Sequence, residues 1–174
     1  MLPSNNSLIF CQIFFFNLFI ASRAITQSFV EEPNDVTINI GDNFTLPCKV
    51  SNRRGKVQWT RDDFGLGEDR ALNGFPRYKM LGNDGDGDYS LEINSATLED
   101  DARFQCQVGA AAGGVAAIQS TNATVTVQLA PDPPVITNGP RMEVMEGNEV
   151  EITCKSFRGK PPATVRASFG VIIV

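Results

Sequence analysis

Few side chains in this chain of 174 residues are arranged for chemistry. The run Asn83-Asp-Gly-Asp-Gly-Asp88 alternates carboxylates in a way that suits calcium, an ion that takes oxygen ligands. An EF-hand loop, however, needs Gly at its sixth position and Glu at its twelfth. Counted from Asp84, those positions hold Tyr89 and Ser95, so a turn built from turn-forming residues accounts for the run and no metal site is expected. Asp63-Phe-Gly65 spells a kinase tripeptide, but neither a Gly-rich phosphate loop nor a catalytic-loop run accompanies it. The chain contains no His, and no Ser stands in a nucleophile elbow. We expect no catalytic residue, no cofactor and no small-molecule substrate, and hence no enzyme. What remains is sulfur: four Cys, at positions 11, 48, 106 and 154.

Which of these sulfurs can pair depends on where the chain folds. Residues 8–20 are largely apolar, and Ser22 and Ala24 sit where a signal peptidase wants small residues, so residues 1–24 read as a signal peptide. That apolar run is short of the roughly 20 residues needed to span a bilayer. Cys11 then leaves with the leader, and an oxidising compartment favours a disulfide between Cys48 and Cys106. Cys154 is left without a partner. Trp59 follows Cys48 by eleven positions and Cys106 follows it by fifty-eight. This Cys…Trp…Cys spacing is the pin of an immunoglobulin-like β-sandwich, in which the Trp packs on a disulfide joining the two sheets.

The elements around that pin agree with it. Residues 28–129 read as short strands of period two, punctuated by Gly, Asn and Asp. A first strand over 29–40 is broken at Pro33. Others follow over 44–50, 56–61, 77–81, 88–94 and 102–108, with a short one between 64 and 72 and a last one reaching about 129. Phe44, Leu46, Cys48 and Val50 share one face, as do Val57 with Trp59, and Phe104 with Cys106 and Val108. The fold class is all-β, a sandwich of the V/I type over residues 25–130, with no amphipathic helix of useful length. Pro131-Asp-Pro-Pro134 is a stiff connector. Residues 135–174 restart the same pattern, with Cys154 at the end of a strand, and read as an incomplete second immunoglobulin-like domain. About 40 residues cannot bury what a domain of about 100 buries, so this part is expected to be poorly ordered alone. Formal net charge is −5, and the one tight basic cluster, Arg53-Arg54-Gly-Lys56, suits a solvated turn, so no nucleic-acid partner is expected.

Lys56-Val-Gln-Trp-Thr-Arg-Asp-Asp-Phe-Gly-Leu-Gly67, Gly74-Phe-Pro-Arg-Tyr-Lys-Met80, Gly87-Asp-Tyr-Ser-Leu91 and Asp100-Asp-Ala-Arg-Phe-Gln-Cys-Gln-Val108 closely resemble the first domain of the Kirre/Roughest (Neph-like, irre cell recognition module) adhesion receptors. The resemblance covers about residues 26–165. It implies a cell-adhesion module whose partners are immunoglobulin-superfamily receptors, either a second copy or a nephrin-like protein, engaged through the C–C′–F–G face of the first domain. It also implies an extracellular location, at cell–cell junctions of the plasma membrane if the chain is part of a full-length single-pass parent that carries the anchor. A secreted ligand-binding or decoy fragment, or an incomplete gene model, is the alternative. Two departures stand out. Ala167 occupies the place of the family's second-domain Trp, and the tail 166–174 matches nothing. Phe104 stands where a corner Tyr is usual, two residues before Cys106, which removes a hydrogen bond worth about 1 kcal/mol.

Alternation also nominates the contact residues. With Trp59 and Cys106 inward, Gln58, Thr60, Gln105 and Gln107 point outward, and Phe64 and Leu66 flank them as exposed apolar groups. An uncharged patch beside an aromatic anchor is what an interface centre needs. Arg77 and Asp100 are expected to form a structural salt bridge closing the lower end. Asn43-Phe-Thr and Asn122-Ala-Thr are N-glycosylation acceptors, whereas Asn5-Asn-Ser lies in the leader. Asn43 is expected on the sheet away from the patch, and Asn122 on the patch's own sheet.

Overall fold

A computed structural model describes residues 26–137, 145 and 147–166. The leader, Cys11 and Ala167 lie outside the described residues. In chain order the first strands are β1 (Ser28–Glu31), β2 (Val36–Asn39), β3 (Phe44–Leu46), β4 (Lys49–Ser51), β5 (Val57–Arg61), β6 (Phe64–Gly67) and β7 (Tyr78–Met80). Then come β8 (Leu91–Ile93), β9 (Ala102–Val108), β10 (Ile118–Gln119) and β11 (Ala123–Pro131), followed by the short β12 (Val135–Ile136), β13 (Cys154–Lys155) and β14 (Arg158–Lys160). A 3-10 turn, Leu98–Asp100, precedes β9. Among the described residues no helix is long and apolar enough to cross a membrane.

The strands form two layers, as the alternation requires. β3, β8 and β7 pair antiparallel, and β1 pairs with β4 beside them. In the opposite layer β6, β5, β9 and β11 follow one another, with β10 also on β9 and β2 lying parallel to β11. The break expected at Pro33 is the point where the chain leaves β4 for β11, and Pro33 is buried there. In β9 the inward set is Ala102, Phe104, Cys106 and Val108; Arg103, Gln105 and Gln107 face out. Those inward residues join Leu46, Val50, Trp59, Met80, Leu91, Ile93, Val125 and Val127 in one core.

Besides a register shift between Phe29 and Glu31 in β1, two β-bulges in the larger layer depart from simple alternation. Between β5 and β6 the register slips at Trp59/Thr60, because Trp59 pairs with Gly67 and Thr60 with Gly65. The last long strand is in two pieces. Ser120 donates its N–H to the Cys106 carbonyl at 2.9 Å, whereas Ala123 already pairs with Phe104, so Thr121 and Asn122 together oppose the single residue Gln105. Beyond Pro131, β12 pairs with β13 and β14 adds to the free edge of β11. The residues of 135–166 that are described contribute nothing to the buried core.

Candidate functional site

The site is the outer side of β6, β5, β9 and β10, and its scaffold lies directly behind it. Cys48 and Cys106 form a disulfide, both fully buried, and the Trp59 indole packs in the same core with its Nε1 donating to the Tyr89 carbonyl at 2.8 Å. Closing a loop of 58 residues stabilises the domain by about 4 kcal/mol in the chain-entropy picture. Among the described residues no buried side-chain polar atom lacks a hydrogen-bond partner.

On the outer side the register sets Gln58 opposite Gln107 and Thr60 opposite Gln105. The three glutamines are joined into one relay. Gln58 Nε2 donates to Gln107 Oε1 at 3.3 Å, Gln107 Nε2 to Gln105 Oε1 at 2.8 Å, and Gln105 Nε2 to the Ser120 carbonyl at 2.8 Å. Each link leaves amide capacity over, since a glutamine carries two donors and two acceptor lone pairs. Gly65 lies beside the relay; a Cβ there would sit 3.3 Å from Gln58 Oε1, so glycine keeps this part of the face flat. The charges flanking the relay are already paired: Lys56 with Glu68 at 2.5 Å on one side, and Arg103 with Asp63 at 3.6 Å on the other.

Two residues expected on this face are not available to a partner. Leu66 is 4% exposed and belongs to the core, because it falls at the β5–β6 bulge on the Trp59 side of the sheet. Thr60 does point away from Trp59, yet it too is 4% exposed, with its hydroxyl directed at the Gln105 carbonyl at 3.5 Å. Phe64, which closes the β5–β6 hairpin opposite Arg61, is 67% exposed, but this pairing puts it on the side of the sheet that Arg61 and Leu66 share and not on the side of the relay.

The two ends of the sandwich hold this face in place. At one end Gln27 is buried, a residue that no motif or spacing singles out. Its Nε2 donates to the carbonyls of Gly109 at 3.0 Å and Ala116 at 2.6 Å, and its Oε1 accepts the N–H groups of Arg54 and Gly55, each at 3.2 Å. One side chain thus ties the turn before β5 to the loop after β9. At the other end Arg77 grips Asp100 with both nitrogens, at 2.6 and 2.8 Å. Burial alone would raise the Asp100 pKa, but Arg77, the Tyr78 hydroxyl and the Thr97 N–H hold it below the usual carboxylate range. Burial, helped by the bond to Asp100, pushes Tyr78 up to about 12. Phe104, in the place of the corner Tyr, is fully buried and meets the Tyr78 ring edge-on at 6.3 Å.

The remaining singled-out residues lie apart from the relay. Asp84, in the acidic turn, is held by Arg53 at 3.0 Å, Arg70 at 2.9 Å and the Tyr89 hydroxyl at 3.1 Å. Asn43 is exposed just before β3, in the layer opposite the relay, and its Oδ1 accepts the Ser95 N–H at 2.7 Å. Asn122 is exposed in the bulge between β10 and β11.

Residues 27–127 match the immunoglobulin I-set domain model. Over 139 residues the chain is 50% identical to the Irregular chiasm C-roughest protein of Drosophila melanogaster, a match covering 80% of this chain and 18% of that protein. The crystal structure of Rst D1-D2 superposes with a TM-score of 0.77 at 51% identity, covering 78% of this chain and 65% of that one. That of Duf (Kirre) D1 superposes with a TM-score of 0.57 at 50% identity, covering 58% of this chain and 95% of that one. The chain spans about a fifth of the length of the curated relatives it matches.

Proposed function

The chain belongs to the immunoglobulin I-set family, in its Kirre/Roughest branch, and we propose that it is a cell–cell recognition module that docks through the outer face of β6, β5, β9 and β10. Its partner is a second copy or a nephrin-like immunoglobulin receptor. The domain works outside the cell, exported by its leader. The observation that carries this reading is the glutamine relay: three amides in hydrogen-bonding register, free of unpaired charge. A charge-poor centre can be desolvated cheaply, and amides that both donate and accept are complementary to a copy of themselves. Affinity per domain is expected to be modest, with strength at a contact arising from many receptors acting together.

Sedimentation of the glycan-free chain, refolded with its disulfide formed, tests this directly. Gln58→Ala or Gln107→Ala weakens self-association, or association with a nephrin-like ectodomain, by about tenfold, equivalent to about 1.4 kcal/mol. Thermal unfolding and the disulfide stay unchanged, because neither side chain belongs to the core. Wild-type association by both folded variants rules the face out.

A further inference from the structure

We propose that Asn122 carries an N-linked glycan that gates this face: a chain bearing it cannot dock, and a chain lacking it can. The inference rests on the docking reading above and adds its regulation. Three observations on the bulge carry it. Opposite Gln105 stand two residues, Thr121 and Asn122, flanked by Ser120 and Ala123, which are 4% and 0% exposed. With Ala123 turned inward like its partner Phe104, the exposed Asn122 projects from the outer side, the side on which Gln105 lies. Gln105 itself reaches across to this segment, donating to the Ser120 carbonyl at 2.8 Å, so the acceptor Asn stands one strand from the relay, a separation of about 4.8 Å.

The bulge is also held firmly. Glu32 Oε2 accepts the Thr121 N–H at 2.6 Å and its hydroxyl at 3.1 Å, and Asp35 Oδ1 accepts the Thr124 N–H at 2.7 Å. The backbone on either side of Asn122 is therefore fixed, which holds a sugar's point of attachment on this side of the sheet. The Thr124 side chain, which completes the acceptor motif, is exposed. Modification forms a bond from Asn122 Nδ2 to the anomeric carbon of a lipid-diphosphate-linked oligosaccharide. It breaks that carbon's bond to the diphosphate, which leaves with the electron pair, and the displaced amide proton goes to solvent. The product is bulky and hydrated, and it occupies the space a partner's β9 would take. Asn43, in the opposite layer, offers a second acceptor that a docked partner would not meet.

The test uses the full chain secreted from glycosylating eukaryotic cells, with site occupancy read by mass spectrometry. We expect Asn122 to be occupied and the occupied chain monomeric where Asn122→Gln and Thr124→Ala associate at least tenfold more tightly. Asn43→Gln should change nothing, and Gln58→Ala placed on Asn122→Gln should abolish the gain. An unoccupied Asn122 overturns the proposal. So does an occupied wild type that associates as tightly as both sequon variants; if Gln58→Ala still weakens association in that case, the docking face survives and only the gate falls. Association indifferent to Gln58→Ala in every background removes the face, and the gate with it.

Discussion

Asp100 is held on every side: fully buried, ionised, and satisfied by Arg77, Tyr78 and Thr97. Its pKa in the folded state lies below the unfolded value, so the stabilisation it supplies is complete above about pH 5 and fades as pH falls through about 4 towards the folded value. Arg77→Ala strands that charge and should cost about 3 kcal/mol, the lower end of the range for breaking a buried pair, since Arg77 keeps some contact with solvent. Urea unfolding at pH 7 and pH 3 measures both effects: the gap between wild type and variant should be large at pH 7 and shrink at pH 3. A gap that is equal at the two pH values contradicts this account. The pair itself was legible in the sequence because sandwiches often close one end with such ions. Tyr78 was not. That a hydroxyl from β7 would turn to Asp100 depends on the ring packing between Phe75 and Phe104, which no spacing reveals.

At the scale of elements, strand existence followed from period-two alternation, but register did not. The β5–β6 bulge decides that Leu66 is core, and the bulge after β10 decides where Asn122 stands; each shifts a strand by one residue without altering the composition of the run. Loop-to-loop contacts were equally hidden. A Cβ at Gly55 would lie 1.8 Å from the Gly109 carbonyl oxygen, so the turn before β5 and the loop after β9 meet backbone to backbone, with Gln27 bonded to both. Gly55→Ala must push them apart. It should cost about 2 kcal/mol, as overpacking does, and lower the melting temperature by about 8 °C or more. Calorimetry that finds the variant as stable as wild type would mean the two loops separate freely.

For the whole molecule, composition and the Cys…Trp…Cys pin were enough to place the fold, and outward alternation was enough to find the glutamines. Neither could show that they link into a relay, since side-chain bonding depends on cross-strand pairing. The joint with the following segment was also only half legible. Pro131 to Pro134 reads as a stiff connector, but β14 returns to extend β11. There Lys160 pairs with Asp101 at 2.6 Å and Arg158 with Asp132 at 2.8 Å, so the chain leaving the domain is tied to the sheet that carries the proposed docking face. Everything functional therefore depends on whether that sheet's outer side is where partners meet. Side-chain amide NMR signals of Gln58, Gln105 and Gln107, followed through a dilution series of the Asn122→Gln chain, measure it most directly. These signals should shift together with concentration while those of Asn94 and Asn43 in the other layer stay still. Shifts confined to the β3–β8–β7 layer, with the three glutamines unmoved, would contradict it.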